Sequence, residues 1–140
     1  MMSKVSKSKT NPNPIQYIIC VFWIAVCGNP VNLEQVYGTW KGEFQSKEYL
    51  IEFRTDNTVD IIIRDDAKES DEDVTGDFEL DFSKQPTALS ISNIPQLNHP
   101  LYTIMEMRGN DEIIMAPFSP RWRLRPVSLI EQGNLVLKRL

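Results

Sequence analysis

From Gly38 onward, apolar and polar residues alternate with a period of two. The clearest run is Val74 to Phe82. Val74, Gly76, Phe78, Leu80 and Phe82 fall on one side, and Thr75, Asp77, Glu79 and Asp81 on the other. Such alternation predicts a β-strand with one buried and one wet face. Trp40, Gly42 and Phe44 alternate with Lys41, Glu43 and Gln45 in the same way, and Tyr49, Ile51 and Phe53 follow opposite Leu50, Glu52 and Arg54. Further strands are predicted over Val59–Arg64, Thr87–Ser92, Leu101–Met107, Glu112–Ala116 and Asn134–Arg139, eight in all with little helix. Val31–Tyr37 is long enough for only one or two helical turns.

Turn chemistry separates these runs. Thr55-Asp56-Asn57-Thr58 precedes Val59, and Asp and Asn tolerate turn dihedrals. Ser83-Lys84-Gln85-Pro86 follows Phe82, with Pro86 biasing Gln85 toward extended geometry. Arg108-Gly109-Asn110-Asp111 joins the sixth and seventh runs, and Gln132-Gly133 announces the last. Short strands at close spacing predict an antiparallel sandwich or barrel, and closure into a barrel would remove exposed edges. The expected inward residues include Trp40, Phe44, Tyr49, Phe53, Ile61, Ile63, Phe78, Leu80, Phe82, Leu89 and Ile91. The longest loops are expected at Asp65–Asp73 and Pro117–Pro126.

The first 30 residues follow a different pattern. Lys4, Lys7 and Lys9 precede an apolar run from Ile15 to Cys27, and no acidic residue occurs before Glu34. A helix of that length falls short of the ~30 Å hydrocarbon core, so the pattern predicts a secretory signal peptide rather than a stable span. Ile24-Ala25-Val26-Cys27 resembles a bacterial lipobox, in which the chain is cut before a cysteine that carries lipid; Val26 departs from the small residue usual there. Cleavage after Gly28 and an uncleaved anchor remain the alternatives. The expected organisation is a signal peptide and lipobox region over 1–27, a linker and helical turn over 28–37, and a barrel domain over 38–140. Either cleavage leaves at most one thiol, Cys27, so no disulfide within the mature chain is expected.

Composition narrows the function. A chain of 140 residues suits one domain, and a net charge of −4 provides no general nucleic-acid footprint. Removing Lys4, Lys7 and Lys9 from the 15 basic residues leaves 12 against 19 acidic ones, a net charge of −7. One His and two Cys argue against a zinc finger, a haem site or a disulfide framework. No cofactor is expected.

Gly38-Thr39-Trp40, opening the first strand after a helical turn, is similar to the Gly-x-Trp signature of lipocalins, which are eight-stranded up-and-down barrels. The resemblance implies that Trp40 plugs one end, with an Arg from a late strand packed over it; Arg139 is the best-placed partner. The run Thr75–Ile91 resembles the central hairpin of a short bacterial lipocalin-like domain, an uncharacterised planctomycetal domain family. Arg125-Pro126 and Leu135–Arg139 resemble its ending. The likeness spans Gly38 to Arg139 and implies a fold; that family brings no established activity or ligand.

Arg121-Trp122-Arg123-Leu124-Arg125 is the most distinctive local feature. In an extended chain its three arginines share one face, suited to an anionic head group at the barrel mouth. The plainer reading is a basic loop paired to nearby carboxylates, with Trp122 packed on the barrel. Met105, Met107 and Met115 recur at period two and could line an adaptable pocket with Tyr49, or simply fill a core. The acidic stretch Asp65–Asp73 lacks EF-hand spacing and reads as a solvated loop. His99 stands alone, and neither Gly-x-Ser-x-Gly nor a Gly-rich phosphate loop is present.

A non-catalytic, exported binding module is therefore expected, anchored in the envelope membrane through Cys27. It would hold a small apolar or amphiphilic ligand, or a protein partner, with Tyr49, Met105 and Met107 in the pocket and Arg121, Arg123 and Arg125 near its rim. The alternative is an interaction module with a filled core and no ligand. A hydrolase would require His99 to lie beside a Ser and a carboxylate.

Overall fold

The computed structural model of the chain describes residues 31–129 and 133–140. The stretch in which a signal peptide and a lipobox with Cys27 are expected lies outside the described residues. A helical turn, α1 (Leu33–Val36), precedes eight strands: β1 (Gly38–Phe44), β2 (Lys47–Phe53), β3 (Thr58–Asp65), β4 (Glu72–Asp81), β5 (Thr87–Ser92), β6 (Leu101–Arg108), β7 (Glu112–Met115) and β8 (Leu135–Arg139). Each strand pairs antiparallel with the next, and β8 returns to β1. The fold is a closed, all-β, up-and-down barrel. Closure leaves no unpaired edge to template aggregation.

Local chemistry sets the strand ends. Gln45 and Ser46 both take positive φ (51° and 62°) in the two-residue turn between β1 and β2, the geometry that matches strand twist. Asp56 accepts hydrogen bonds from the Thr58 backbone N–H at 3.0 Å and its hydroxyl at 2.6 Å, closing the β2–β3 turn with Asn57 at φ 65°. Asp81 does the same for Ser83, which ends β4 at Asp81. Phe82 consequently leaves the strand and stays half-buried outside the main core, contrary to its expected inward place. β4 also begins at Glu72, so the acidic loop is shorter than expected.

Inside the barrel, Trp40, Ile51, Phe53, Ile61, Phe78, Leu89, Ile91, Met105, Ile113, Met115 and Leu137 are buried and pack together. Phe53 meets Phe78 edge-on at 4.9 Å between ring centroids, a favourable aromatic geometry. Phe44, Tyr49, Ile63 and Leu80 are only half-buried against this cluster. Eight strands leave an interior that side chains can just fill, and here they fill its centre.

One end is sealed by α1 and the start of β1. Asn32 caps α1 by accepting from the Gln35 N–H at 3.2 Å, and Val36 is buried beneath the barrel. The Trp40 indole N–H donates to the Val36 carbonyl at 2.8 Å, so burying the ring leaves no polar atom unpaired. Trp40 and Arg139 are register partners across β1 and β8, and the guanidinium lies 4.2 Å from the Trp40 ring centroid. The same guanidinium donates to the carbonyls of Tyr37 (2.8 Å), Asn110 (2.9 Å) and Gln35. Gly38, at φ 124°, gives this group room: a Cβ there would lie 2.9 Å from Arg139 Nη1.

Arg139→Met keeps the apolar stem but removes the ring contact and three charge-assisted hydrogen bonds to carbonyls. We expect a loss of about 2–4 kcal/mol of unfolding free energy. Chemical denaturation followed by tryptophan fluorescence checks it, and an unchanged midpoint would show that the contact contributes nothing.

Candidate functional site

The end opposite Trp40 is concave. β1 and β3 end here, and β2, β4, β6 and β8 begin here, so that Phe44, Tyr49, Ile63, Val74, Leu101 and Leu135 ring a cup of about 450 Å³. Leu97 and His99 from the β5–β6 connection and Phe118 beyond β7 complete the wall. That volume lies in the range of small-molecule sites.

The charged residues at this rim come from cross-strand register. Tyr49 pairs with Ile63, and Ile63 with Glu72, so all three lie level on adjacent strands and on the inward face. Lys68 donates to Glu72 at 2.5 Å and holds its carboxyl below the ordinary value. Lys47 lies 4.0 Å from Asp65 one register step further out. Burial pushes the Tyr49 phenol above its ordinary value, and the nearby Glu72 charge adds to the rise. The result is an apolar cup with a half-buried phenol and acid–base pairs at its lip.

Of the expected pocket residues, only Tyr49 is there. Met105 is fully buried at mid-barrel opposite Met115, where it packs with Leu89 and Ile113. Met107 pairs with Ile113 one step nearer the sealed end, again away from the cup. β6 runs from the open end at Leu101 toward the sealed end at Arg108, which places Met105 in the core and Met107 half-buried against it, both away from the cup. Phe118 and Leu97 were not foreseen, since irregular loops carry no periodic signal. Glu72 was legible: counting the inward positions Val74, Gly76 and Phe78 back by two reaches it.

The arginine segment is placed differently from expectation. It lies on the outer wall of β5 and β6, and it is not extended: Trp122–Leu124 forms a single 3₁₀ turn. Ser119 exchanges two backbone hydrogen bonds of 2.8 Å with Tyr102. Arg125 donates to the Ser90 hydroxyl at 2.6 Å and stacks over Tyr102 at 5.1 Å. Both partners point outward, since Leu89, Ile91 and Thr103 take the inward positions beside them. Arg121, Arg123 and Arg125 therefore do not border the cup. Among the described residues none of the three forms an ion pair with a carboxylate, and Trp122 is exposed rather than packed down.

The acidic stretch is held by surface pairs, Arg64 with Asp71 at 3.3 Å and Lys68 with Glu72. Among the described residues, no three His, Cys, Asp or Glu side chains converge as metal ligands do. His99 is exposed at the cup's edge, with Nδ1 3.0 Å from the Pro100 carbonyl oxygen. Among the described residues, the Pro100 carbonyl is the one hydrogen-bond partner of the His99 ring. Comparison with known proteins finds no matching family model, no matching curated protein and no matching solved structure.

The raised Tyr49 phenol favours the protonated form in the folded state. Its contribution to stability is intact below the ordinary phenol pKa and is lost as pH rises through the folded value. Glu72→Gln removes the smaller cause and leaves burial. Difference titration against Tyr49→Phe should show the phenol ionising at lower pH in Glu72→Gln than in the parent, still above a free tyrosine. An unmoved titration would place the Glu72 charge too far away to act.

Proposed function

We propose that the protein is an exported, lipid-anchored bacterial envelope protein, a non-catalytic binding module of lipocalin type that takes a small apolar or amphiphilic ligand at the open end of its barrel. One observation carries this reading: the barrel is filled and sealed at the Trp40 end, while the other end keeps an apolar cup of about 450 Å³. An apolar body in that cup would bury surface against Phe44, Ile63, Leu101 and Phe118, at about 25 cal/mol per Å² removed from water. Its polar end would meet the Tyr49 hydroxyl and the paired charges of Lys68 and Glu72. Because those charges are balanced, the lip does not demand an anionic head group. Support for the lipocalin relation comes from Gly38-Thr39-Trp40 with Arg139 stacked on the indole. A filled module acting only through its outer surface is the competing reading, favoured by the packed centre around Met105 and Met115.

An uncharged long-chain alcohol carrying a photoreactive diazirine tests the site on the full chain. Cross-links should fall on peptides bearing Tyr49–Ile63 and Leu97–Leu101, and disappear in Leu101→Asp with the far-ultraviolet spectrum unchanged. Labelling spread evenly over the barrel, including the Trp40 end, would favour the filled module instead.

Anchoring has its own test. Intact mass of the protein purified from its native host should match a chain beginning at Cys27 and carrying a diacylglycerol. An unmodified chain beginning near Asn29 would make it a free exported protein.

A further inference from the structure

The segment from Ser119 to Val127 holds apolar side chains in water by construction. Trp122 is 65% exposed, Leu124 64% and Val127 88%. Loops can leave such residues wet by being loose, but this one is fixed at both ends. The Ser119–Tyr102 bridge secures its start, and the Arg125 contacts with Ser90 and Tyr102 secure its finish. Pro120 and Pro126 stiffen the chain between and beyond these points. Trp122 and Val127 border a groove of about 390 Å³ whose floor includes Ala88 and Ile104, while Leu124 borders a separate hollow beside Pro117 and Phe118.

Charge sets this patch apart. The chain beyond the leader carries a surplus of acid, 12 basic residues against 19 acidic, yet Arg121, Arg123 and Lys84 gather around the exposed Trp. Arg123 lies 5.8 Å from the Trp122 ring centroid. An exposed indole, two wet aliphatic residues and flanking arginines match the preferences of a bilayer interface with anionic head groups. Shape points the same way. A stable protein interface covers about 800 Å² per partner with complementary relief. Three side chains within one six-residue stretch offer only a few hundred Å², enough to insert into a deformable medium that needs no matching pocket.

We propose that Trp122, Leu124 and Val127, flanked by Arg121 and Arg123, form a docking surface that inserts into the interface of an anionic lipid bilayer. The inference rests on the envelope location proposed above and is independent of the cup. On a chain held by an N-terminal anchor, this second contact would fix which side of the barrel faces the membrane.

The mature chain purified from its native host, which under that reading begins at Cys27, has Trp40, which is wholly buried, and Trp122 as its emitters. It is reconstituted with vesicles of phosphatidylcholine and phosphatidylglycerol whose acyl chains carry bromine as a quencher. Trp122 emission should shift to shorter wavelength and be quenched, and the quenching should be lost when Trp122→Phe is added. Arg121→Glu with Arg123→Glu should weaken quenching, as should replacing phosphatidylglycerol by phosphatidylcholine. Flotation of the chain with the vesicles is read in the same samples and reports the anchor. Flotation without quenching overturns the docking surface, leaves the anchor standing and hands the patch to an acidic protein partner. Neither flotation nor quenching overturns both.

Discussion

The stack of Arg139 on Trp40 is the contact through which the barrel closes. It joins the first strand to the last, so it forms only once all eight strands are in register. The guanidinium carries this role because a planar cation can lie on a ring and donate in three directions at once. Its carbonyl partners come from Gln35 and Tyr37 before β1 and from Asn110 before β7, so one side chain joins three separate stretches of chain. A lysine could supply the charge but not the flat face and the fork.

Two glycines make that contact geometrically available. Gly38 leaves room for the guanidinium, and at Gly42 a Cβ would overlap the Val136 carbonyl oxygen across the β1–β8 seam. The lack of a side chain at Gly42 lets β1 approach β8 closely just beyond the Lys41–Lys138 pair. Val36 and Trp40 are both wholly buried at the sealed end, with the indole N–H bonded to the Val36 carbonyl. The asymmetry between the two ends thus begins with the residues that close the sheet.

Period-two alternation made the strands legible, because burying one face of a strand is a constraint that every second residue records. The Gly-x-Trp stretch and its late-strand Arg were legible for a similar reason: a tight contact restricts residue type at both partners. The site was harder to read. Tyr49 and the methionines all occupy inward positions, and alternation reports inward or outward without reporting height along the barrel. Height follows from strand direction and register, which put Tyr49 at the lip and Met105 in the packed centre. The arginine segment misled in a different way. Its alternation suggested an extended chain, but Pro120, Pro126 and the Arg125 staple bend it into a 3₁₀ turn on the outer wall.

The outer wall and the cup are therefore chemically distinct surfaces of one small barrel. Ile104, Ile114 and Ala116 face outward yet are buried, and the chain from Ser119 onward lies bridged against this part of β6. That covering segment leaves β7 at Ala116, next to Pro117 and Phe118, which line the cup. It then reaches Tyr102 and the exposed turn within a few residues. Phe118 on the cup and Ser119 on the outer-wall bridge are consecutive residues, so one short connection builds part of both surfaces.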